Sequence, residues 1–390
     1  MHKFISIFSG CGGFDLGFSK TGFKCIAAYD IDPIAVQVHK RNLKTACYIQ
    51  DLSEENLPTS LRPDVLLAGP PCQGFSIAGK RELNDPRNQL LLTAVNIALK
   101  LSPRVFILEN VPGVRSGKHR DYWETAKNKL RTAGYRTAEI ECLGTKMGVA
   151  QIRKRIVLLA WKGNKDIDIF LPEIYGGTLQ DALKGISGAP NNKKKTLNQS
   201  IAGKISKKIK PGQKLCNVRG GENSVHTWDI PEVFGKTTKQ EKELLNTLLK
   251  LRRQIRRRDF GDADPVERKV LVALFGNSVL QTLNSLLEKG FVRQIDGCYD
   301  LKDSFNGLFR RLSWDKPSLT VDTRFGEPRF FLHPSEHRGF TVREAARIQG
   351  FPDTFIFSGT EKEQYRLIGN AVPPPLAECL ANFVKEGLLD

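Results

Sequence analysis

No two cysteines stand at C-x-x-C spacing, and no histidine lies near a cysteine at ligand spacing. The eight cysteines (Cys11, Cys25, Cys47, Cys72, Cys142, Cys216, Cys298, Cys379) therefore form no zinc pattern. No cleavable apolar leader is expected, since Met1-His2-Lys3 runs directly into a strand-like segment, and no span of about 20 apolar residues suited to a bilayer occurs. A cytoplasmic, reducing setting with free thiols is expected, with no membrane partner and no metal. Internal repeats and long low-complexity tracts are also missing. A hydrophobic share of 40% with 26% charged residues excludes disorder on the scale of the chain. Negative charge is scarce. Sixty Lys and Arg face 42 Asp and Glu, a net charge of +18, which favours a polyanion whose bound counterions are released on contact. Nucleic acid leads, with a solvated basic surface as the alternative.

At 390 residues, two or three domains are expected. Short β-rich runs at 3–8, 24–30, 64–68, 104–108 and 156–161 alternate with amphipathic stretches at 33–43, 88–101 and 122–133. That alternation predicts βαβ units and an α/β fold with a doubly wound, mostly parallel sheet, whose ligands sit beyond the carboxyl ends of the strands. After about residue 165 the texture changes. Residues 191–215 carry eight Lys and no acidic residue, and read as an irregular basic surface. A second basic cluster, KLRRQIRRR, closes a helix that begins near Thr238. A helix at 277–289 and the hairpin signal Asp296-Gly297 follow, a layout that fits either a winged helix within 238–302 or a helix packed on any β-ribbon.

The first strand runs into Ser9-Gly10-Cys11-Gly12-Gly13, and Asp30 closes the second. Glycines admit close approach of a ligand, and a strand-end carboxylate accepts from ribose hydroxyls. The pattern suits a dinucleotide, S-adenosylmethionine, or a tight turn without a ligand. Asp51 follows a third strand candidate and is placed to accept from an adenine amino group. Gly69-Pro70-Pro71-Cys72-Gln73-Gly74 sets a cysteine after a buried-looking strand, stiffened by Pro on one side and loosened by Gly on the other. Cys72 is either a nucleophile activated by cationic neighbours or a buried structural thiol. Glu109 ends the apolar run VFIL, as a proton donor or as a surface acid. In Gln151-Ile152-Arg153-Lys154-Arg155, period-2 alternation would put Gln151, Arg153 and Arg155 on one face, aimed at a base carbonyl and a phosphate; a cationic edge strand is the alternative.

In order, IFSGCGGFDLGF, YDID, GPPCQGFS, ENV, QIRKR, RRLSWDKPSLTV and IGNAVPPPLA resemble the DNA cytosine-5 methyltransferase family of bacterial and phage restriction-modification systems, over residues 4–161 and 309–377. The resemblance implies transfer of a methyl group from S-adenosylmethionine to carbon 5 of a flipped-out cytosine in double-stranded DNA. Cys72 would be the nucleophile and Glu109 the acid, with Gln151, Arg153 and Arg155 completing the catalytic set. Phe8, Gly10, Gly12, Gly13 and Pro70 would surround the cofactor, Asp30 its ribose, and Asp51 and Leu52 its adenine. Asn370, Ala371 and Val372 would close the pocket. Ile31 stands where many relatives carry an adenine-stacking aromatic. The product would be S-adenosylhomocysteine, and no metal is required.

The family pattern also assigns domains: 1–165 plus 363–390 for catalysis and cofactor, and 166–362 for target recognition. The loop from Gln73 to Gln89, with Ser76, Lys80, Arg81 and Arg87 on phosphates and Gly74 and Gly79 as hinges, would close over the DNA. A monomer acting on nucleoid DNA, with a cognate endonuclease working separately, completes the expectation. Three rivals are weaker. The tRNA-methylating branch carries a Cys-Phe-Thr tripeptide that is missing here. A silent DNA-binding protein would lack one of the chemical motifs, and a nicotinamide oxidoreductase explains neither the Pro-Cys loop nor the Gly-Asn segment.

Overall fold

The computed structural model describes all residues except 59, 72–87, 164–166, 259–262 and 304. The predicted alternation appears as β1 (Lys3–Ile7), α1 (Gly13–Lys20), β2 (Lys24–Asp30), α2 (Pro33–Leu43), β3 (Cys47–Ile49), β4 (Val65–Ala68), α3 (Gln89–Leu101), β5 (Val105–Asn110) and α4 (Arg120–Thr132). After these come β6 (Arg136–Leu143), β7 (Gln151–Ile152), β8 (Lys154–Trp161) and α5 (Leu179–Leu183). Seven strands form one sheet in the order β3-β2-β1-β4-β5-β8-β6. The first five strands named run parallel, and β8 lies antiparallel to both β5 and β6. The chain steps from β1 outward to β2 and β3, then back across to β4, so the strand order reverses between β1 and β4. In sheets of this kind that crevice is where ligands bind.

Period-2 alternation builds the two layers around the sheet. Phe4, Val65, Leu67, Val105, Ile107, Val157 and Leu159 point to one side with Phe14 and Phe18 of α1. Ile5, Ile7, Leu66, Phe106, Leu108 and Leu158 point to the other, against Leu91 and Val95 of α3 and Trp123 and Leu130 of α4. β4 and β5 are buried at every position, which explains their unbroken apolar runs. Each such Leu or Phe removed from water stabilises the fold by roughly 1.5–3 kcal/mol.

A second unit, Lys194–Ser313 with Phe325–Phe340, has its own cores. It contains α6 (Ile201–Lys208), β9 (Lys214–Leu215), β10 (Ser224–Val225), α7 (Pro231–Phe234), α8 (Lys239–Gln254), β11 (Val266–Glu267), α9 (Arg268–Phe275), α10 (Val279–Glu288), β12 (Val292–Ile295), β13 (Cys298–Leu301) and β14 (Arg310–Arg311). β15 (Ser318–Leu319) belongs to the first unit, and β16 (Phe331–Leu332) to the second. The first unit ends with α11 (Val342–Ile348), α12 (Glu361–Asn370) and α13 (Pro374–Val384). No helix among the described residues is long and apolar enough to cross a membrane.

Two expectations change. Residues 191–215 are not wholly irregular: Ser200 caps α6 by accepting from the Gly203 amide, and Ile205 and Ile209 enter a core, so its lysines occupy one face of a packed helix. The packed units also have boundaries other than 165/166 and 362/363. Residues 167–193, 314–324 and 341–362 belong with the sheet, because the Leu179 and Gln180 amides of α5 donate to the carbonyls of Lys316 and Trp314, and buried Arg343 donates to the carbonyls of Pro190, Pro352 and Phe355.

Candidate active site

At the carboxyl end of β1 the chain turns sharply. Phe8 takes φ 53°, a strained value for a residue with a Cβ, while Gly10 (φ 55°) and Gly12 (φ 92°) occupy the same left-handed region at little cost. The Gly10 amide donates to Asp30 Oδ2 (2.7 Å) and the Asp32 amide to Asp30 Oδ1 (2.9 Å), which ties this turn to the end of β2. Burial raises the Asp30 carboxyl above its ordinary value against those two amides and Arg366, which pull it down. Beyond Asp30, Ile31 is 63% exposed. Asp51, at the end of β3, is held low by the amide and hydroxyl of Ser53, and its neighbour Leu52 is buried.

The two inner glycines serve the packing of α1. A Cβ on Gly13 would stand 2.3 Å from the Val372 carbonyl oxygen, and one on Gly17 2.5 Å from Ala377 Cβ. The C-terminal segment thus lies directly on the glycine turn. Ala371 and Val372 lie against Gly13, while Asn370 is exposed at the end of α12. A Cβ on Gly10, in contrast, meets nothing within 4 Å among the described residues.

Two strands away the geometry suits polar chemistry. Because β8 runs antiparallel to β5, its first residues reach the same sheet edge as the last residues of β5, with Glu109 opposite Val157 and Asn110 opposite Ile156. Arg155 Nε therefore lies 2.7 Å from Glu109 Oε1, both side chains nearly buried. Asn110 Nδ2 is 3.5 Å from the carbonyl of Pro70, which joins this edge to the segment that ends β4. Cys72, Ser76, Lys80, Arg81 and Arg87 lie outside the described residues. Cys11, inside the glycine turn, is no rival nucleophile: burial pushes its thiol up to about 12.

The sequence pattern of C-5 cytosine-specific DNA methylase matches residues 2–386. The chain belongs to that family. Its curated relatives include the type II methyltransferase M.XorII of Xanthomonas oryzae pv. oryzae, 31% identical over 98% of this chain and 84% of the relative. M.NlaIV of Neisseria lactamica is 30% identical over 97% of each. Among solved structures, a prophage-encoded E. coli protein superposes with TM-score 0.61 at 23% identity over 100% of this chain and 99% of that one. The Entamoeba histolytica methyltransferase EhMeth gives 0.58 at 17% over the same shares. At these identities the superpositions establish the fold. The methylase is accordingly an enzyme, a DNA cytosine-5 methyltransferase.

In the methylase, Gln151 and Arg153 do not join Arg155. Arg153 donates its amide back to the Gln151 carbonyl (2.9 Å), a tight turn that separates β7 from β8 and breaks the alternation on which one shared face depended. Both side chains are fully buried in the C-terminal part of the first unit. Gln151 donates to the Ile348 carbonyl and to Gln349 Oε1 and accepts from the Val321 amide; Arg153 donates to the carbonyls of Val321, Gly369 and Ala371. Of the QIRKR set, Arg155 alone reaches Glu109.

Sequence reasoning missed three supports. Arg366 pairs with Asp32, the N-cap of α2. Gln349 donates to the carbonyls of Ile368 and Ala371 and so shapes the segment over Gly13. Ser6, Asp15 and His39 form a buried chain, with Ser6 Oγ 2.7 Å from Asp15 Oδ1 and His39 Nε2 2.7 Å from Asp15 Oδ2. Asp15 in the first turn of α1 was visible in the sequence; its partner 24 residues on was not.

Proposed function

We propose that the methylase takes its methyl group from S-adenosylmethionine and places it on carbon 5 of a cytosine flipped out of duplex DNA, through a transient bond between that cytosine and Cys72. The observation that carries this reading is the Glu109–Arg155 pair (2.7 Å) on the same sheet edge as Pro70 and Pro71, which lead directly in sequence to Cys72. The residues at the other end of the crevice fit the cofactor. Asp30 would hold its ribose, exposed Ile31 and Asp51 would flank its adenine, and the open side of Phe8 and Gly10 would receive its methionine part. Bound there, S-adenosylmethionine supplies an electrophilic methyl group.

The chain's own residues do the rest. Carbon 5 of cytosine is a poor nucleophile, so the Cys72 thiolate adds to carbon 6, and Glu109 hydrogen-bonds and protonates N3 as charge builds in the ring. Arg155 holds Glu109 in place and offers its remaining donors to the exocyclic oxygen. Carbon 5, now enamine-like, takes the methyl group and then loses its proton to solvent; N3 returns its proton to Glu109, and Cys72 leaves as the thiolate. Gln151 and Arg153 act as positioning residues that brace the segments carrying Val321, Gly369 and Ala371.

Because ring carbons in a duplex are stacked, the base must be extruded at a cost of a few kcal/mol. The basic loop with Ser76, Lys80, Arg81 and Arg87 would offset this on the phosphates, and the second unit would read the site. A separate cognate endonuclease is the biological setting this implies. Bisulfite sequencing of duplex DNA incubated with protein and labelled cofactor tests the reading. New 5-methylcytosine at one recurring site is expected from wild type, none from Cys72→Ser, and a rate lower by roughly 10²–10⁴ from Glu109→Gln. Full activity in Cys72→Ser would defeat the mechanism.

A further inference from the structure

Within the second unit, residues 239–301 form a module whose order is α8, β11, α9, α10, β12, β13, with β11 and β12 both antiparallel to β13 in the sheet order β11-β13-β12. The short strand β11 decides the topology. A helix on a plain hairpin needs no strand between its first two helices, whereas a winged helix does, and β11 supplies it. One core joins the parts: Leu244, Leu245, Leu248 and Leu249 of α8 meet Leu271 of α9, Leu283 and Leu286 of α10, and Val292, Tyr299 and Leu301 of the hairpin. Glu241, near the start of α8, takes Ser285 and Lys289 at 2.7 Å each and so pins the C-terminal end of α10.

α9 and α10 are joined by Gly276, Asn277 and Ser278, with Gly276 at φ 74° ending α9. This is a helix-turn-helix connection, in which the second helix enters a groove with its N-terminal residues foremost. Asn277, Gln281 and Asn284 fall at helical spacing on the exposed side, with exposed Ser278 beside them. Asn and Gln amides are the side chains that read an adenine edge through two hydrogen bonds.

Charge favours a polyanion. Much of the module's acid is already matched: Asp264 by Arg258, Glu267 by Lys269, Asp300 by Arg252 and Arg293, and Glu241 by Lys289. Arg253, Arg256 and Arg268 are exposed, and no described acid pairs with them. Glu288 and Asp296 mark where DNA would not press closely, at the C-terminal end of α10 and the hairpin tip.

We propose that α10 is a base-reading helix that enters the major groove of the DNA being methylated, with Asn277, Gln281 and Asn284 as specificity determinants and Arg268 on a phosphate. This rests on the reading of the chain as a DNA methylase and adds where the sequence is read. The test uses the full chain carrying Asn277→Ala with Gln281→Ala, or Arg268→Ala. Unchanged urea midpoints serve as the folding control. Two readouts are taken: bisulfite sequencing over a randomised duplex library, and anisotropy titrations with the preferred and an unrelated duplex.

The amide variant is expected to lose preference at an A·T pair and to bind the preferred duplex ten- to a hundredfold more weakly, with the unrelated duplex unaffected. The charge variant is expected to weaken both duplexes alike and to flatten the salt dependence by about one phosphate contact. Wild-type preference and affinity in both variants would overturn the proposal, including the case in which this face binds another protein instead. If wild type forms no 5-methylcytosine the catalytic reading fails, and the duplexes that wild type and the variants retain from the same library, compared by sequencing, still decide the fate of α10.

Discussion

His39 is wholly buried, with Asp15 against its Nε2 and the glycine turn directly above: a Cβ on Gly12 would come within 2.7 Å of its Cδ2. Burial by itself lowers the imidazole, but the hydrogen bond to Asp15 and the neighbouring Cys47 outweigh it and raise His39 from 6.5 to about 10. A proton held more tightly in the folded state than in the unfolded one stabilises the fold fully below about pH 6.5 and progressively less up to about pH 10. The urea midpoint of wild type should therefore fall across that window, and His39→Gln, which cannot gain the proton, should show a flatter profile. Equal slopes in the two proteins would remove this assignment. That Glu109 lies near the end of a strand was legible from sequence, whereas its pairing with Arg155 near the start of β8 was not. Gln151 and Arg153 were misread because the tight turn from Gln151 to Arg153 breaks the alternation between β7 and β8, and no residue type in QIRKR signals that turn.

Between elements, α1 and α13 meet where Gly17 leaves no room, with Ala377 Cβ and the Pro374 carbonyl 2.5 and 2.6 Å from its virtual Cβ. Gly17→Ala is overpacking against backbone, and a loss of about 1–3 kcal/mol in urea unfolding is expected. Gly10→Ala carries only left-handed strain, about 1 kcal/mol, but fills the space assigned to the cofactor. It should weaken S-adenosylmethionine binding in calorimetry more than it lowers stability. The reverse ranking would mean that the glycine turn serves packing alone.

The same contrast explains what the sequence disclosed. β1, β2, β4, β5 and β8 announce themselves as apolar runs because the sheet is covered on both faces. β6, at the sheet edge, reads RTAEIECL and is half polar, and it went unpredicted. α6 is masked by lysines that occupy only its outer side. Contacts such as Arg343 to Pro190, 153 residues apart, set the unit boundaries and leave no local trace.

For the whole molecule, a net charge of +18 favours a polyanionic partner, and the second unit has cores of its own. The proposed chemistry turns on the sulfur that follows Pro71. A duplex carrying 5-fluorocytosine cannot release that sulfur after methyl transfer, because fluorine replaces the proton that must leave. Incubated with the methylase and S-adenosylmethionine, such a duplex should give, by mass spectrometry of the tryptic digest, a methylated nucleotide bonded to the peptide containing Cys72. No adduct at Cys72 while an ordinary duplex is being methylated under the same conditions would contradict the account.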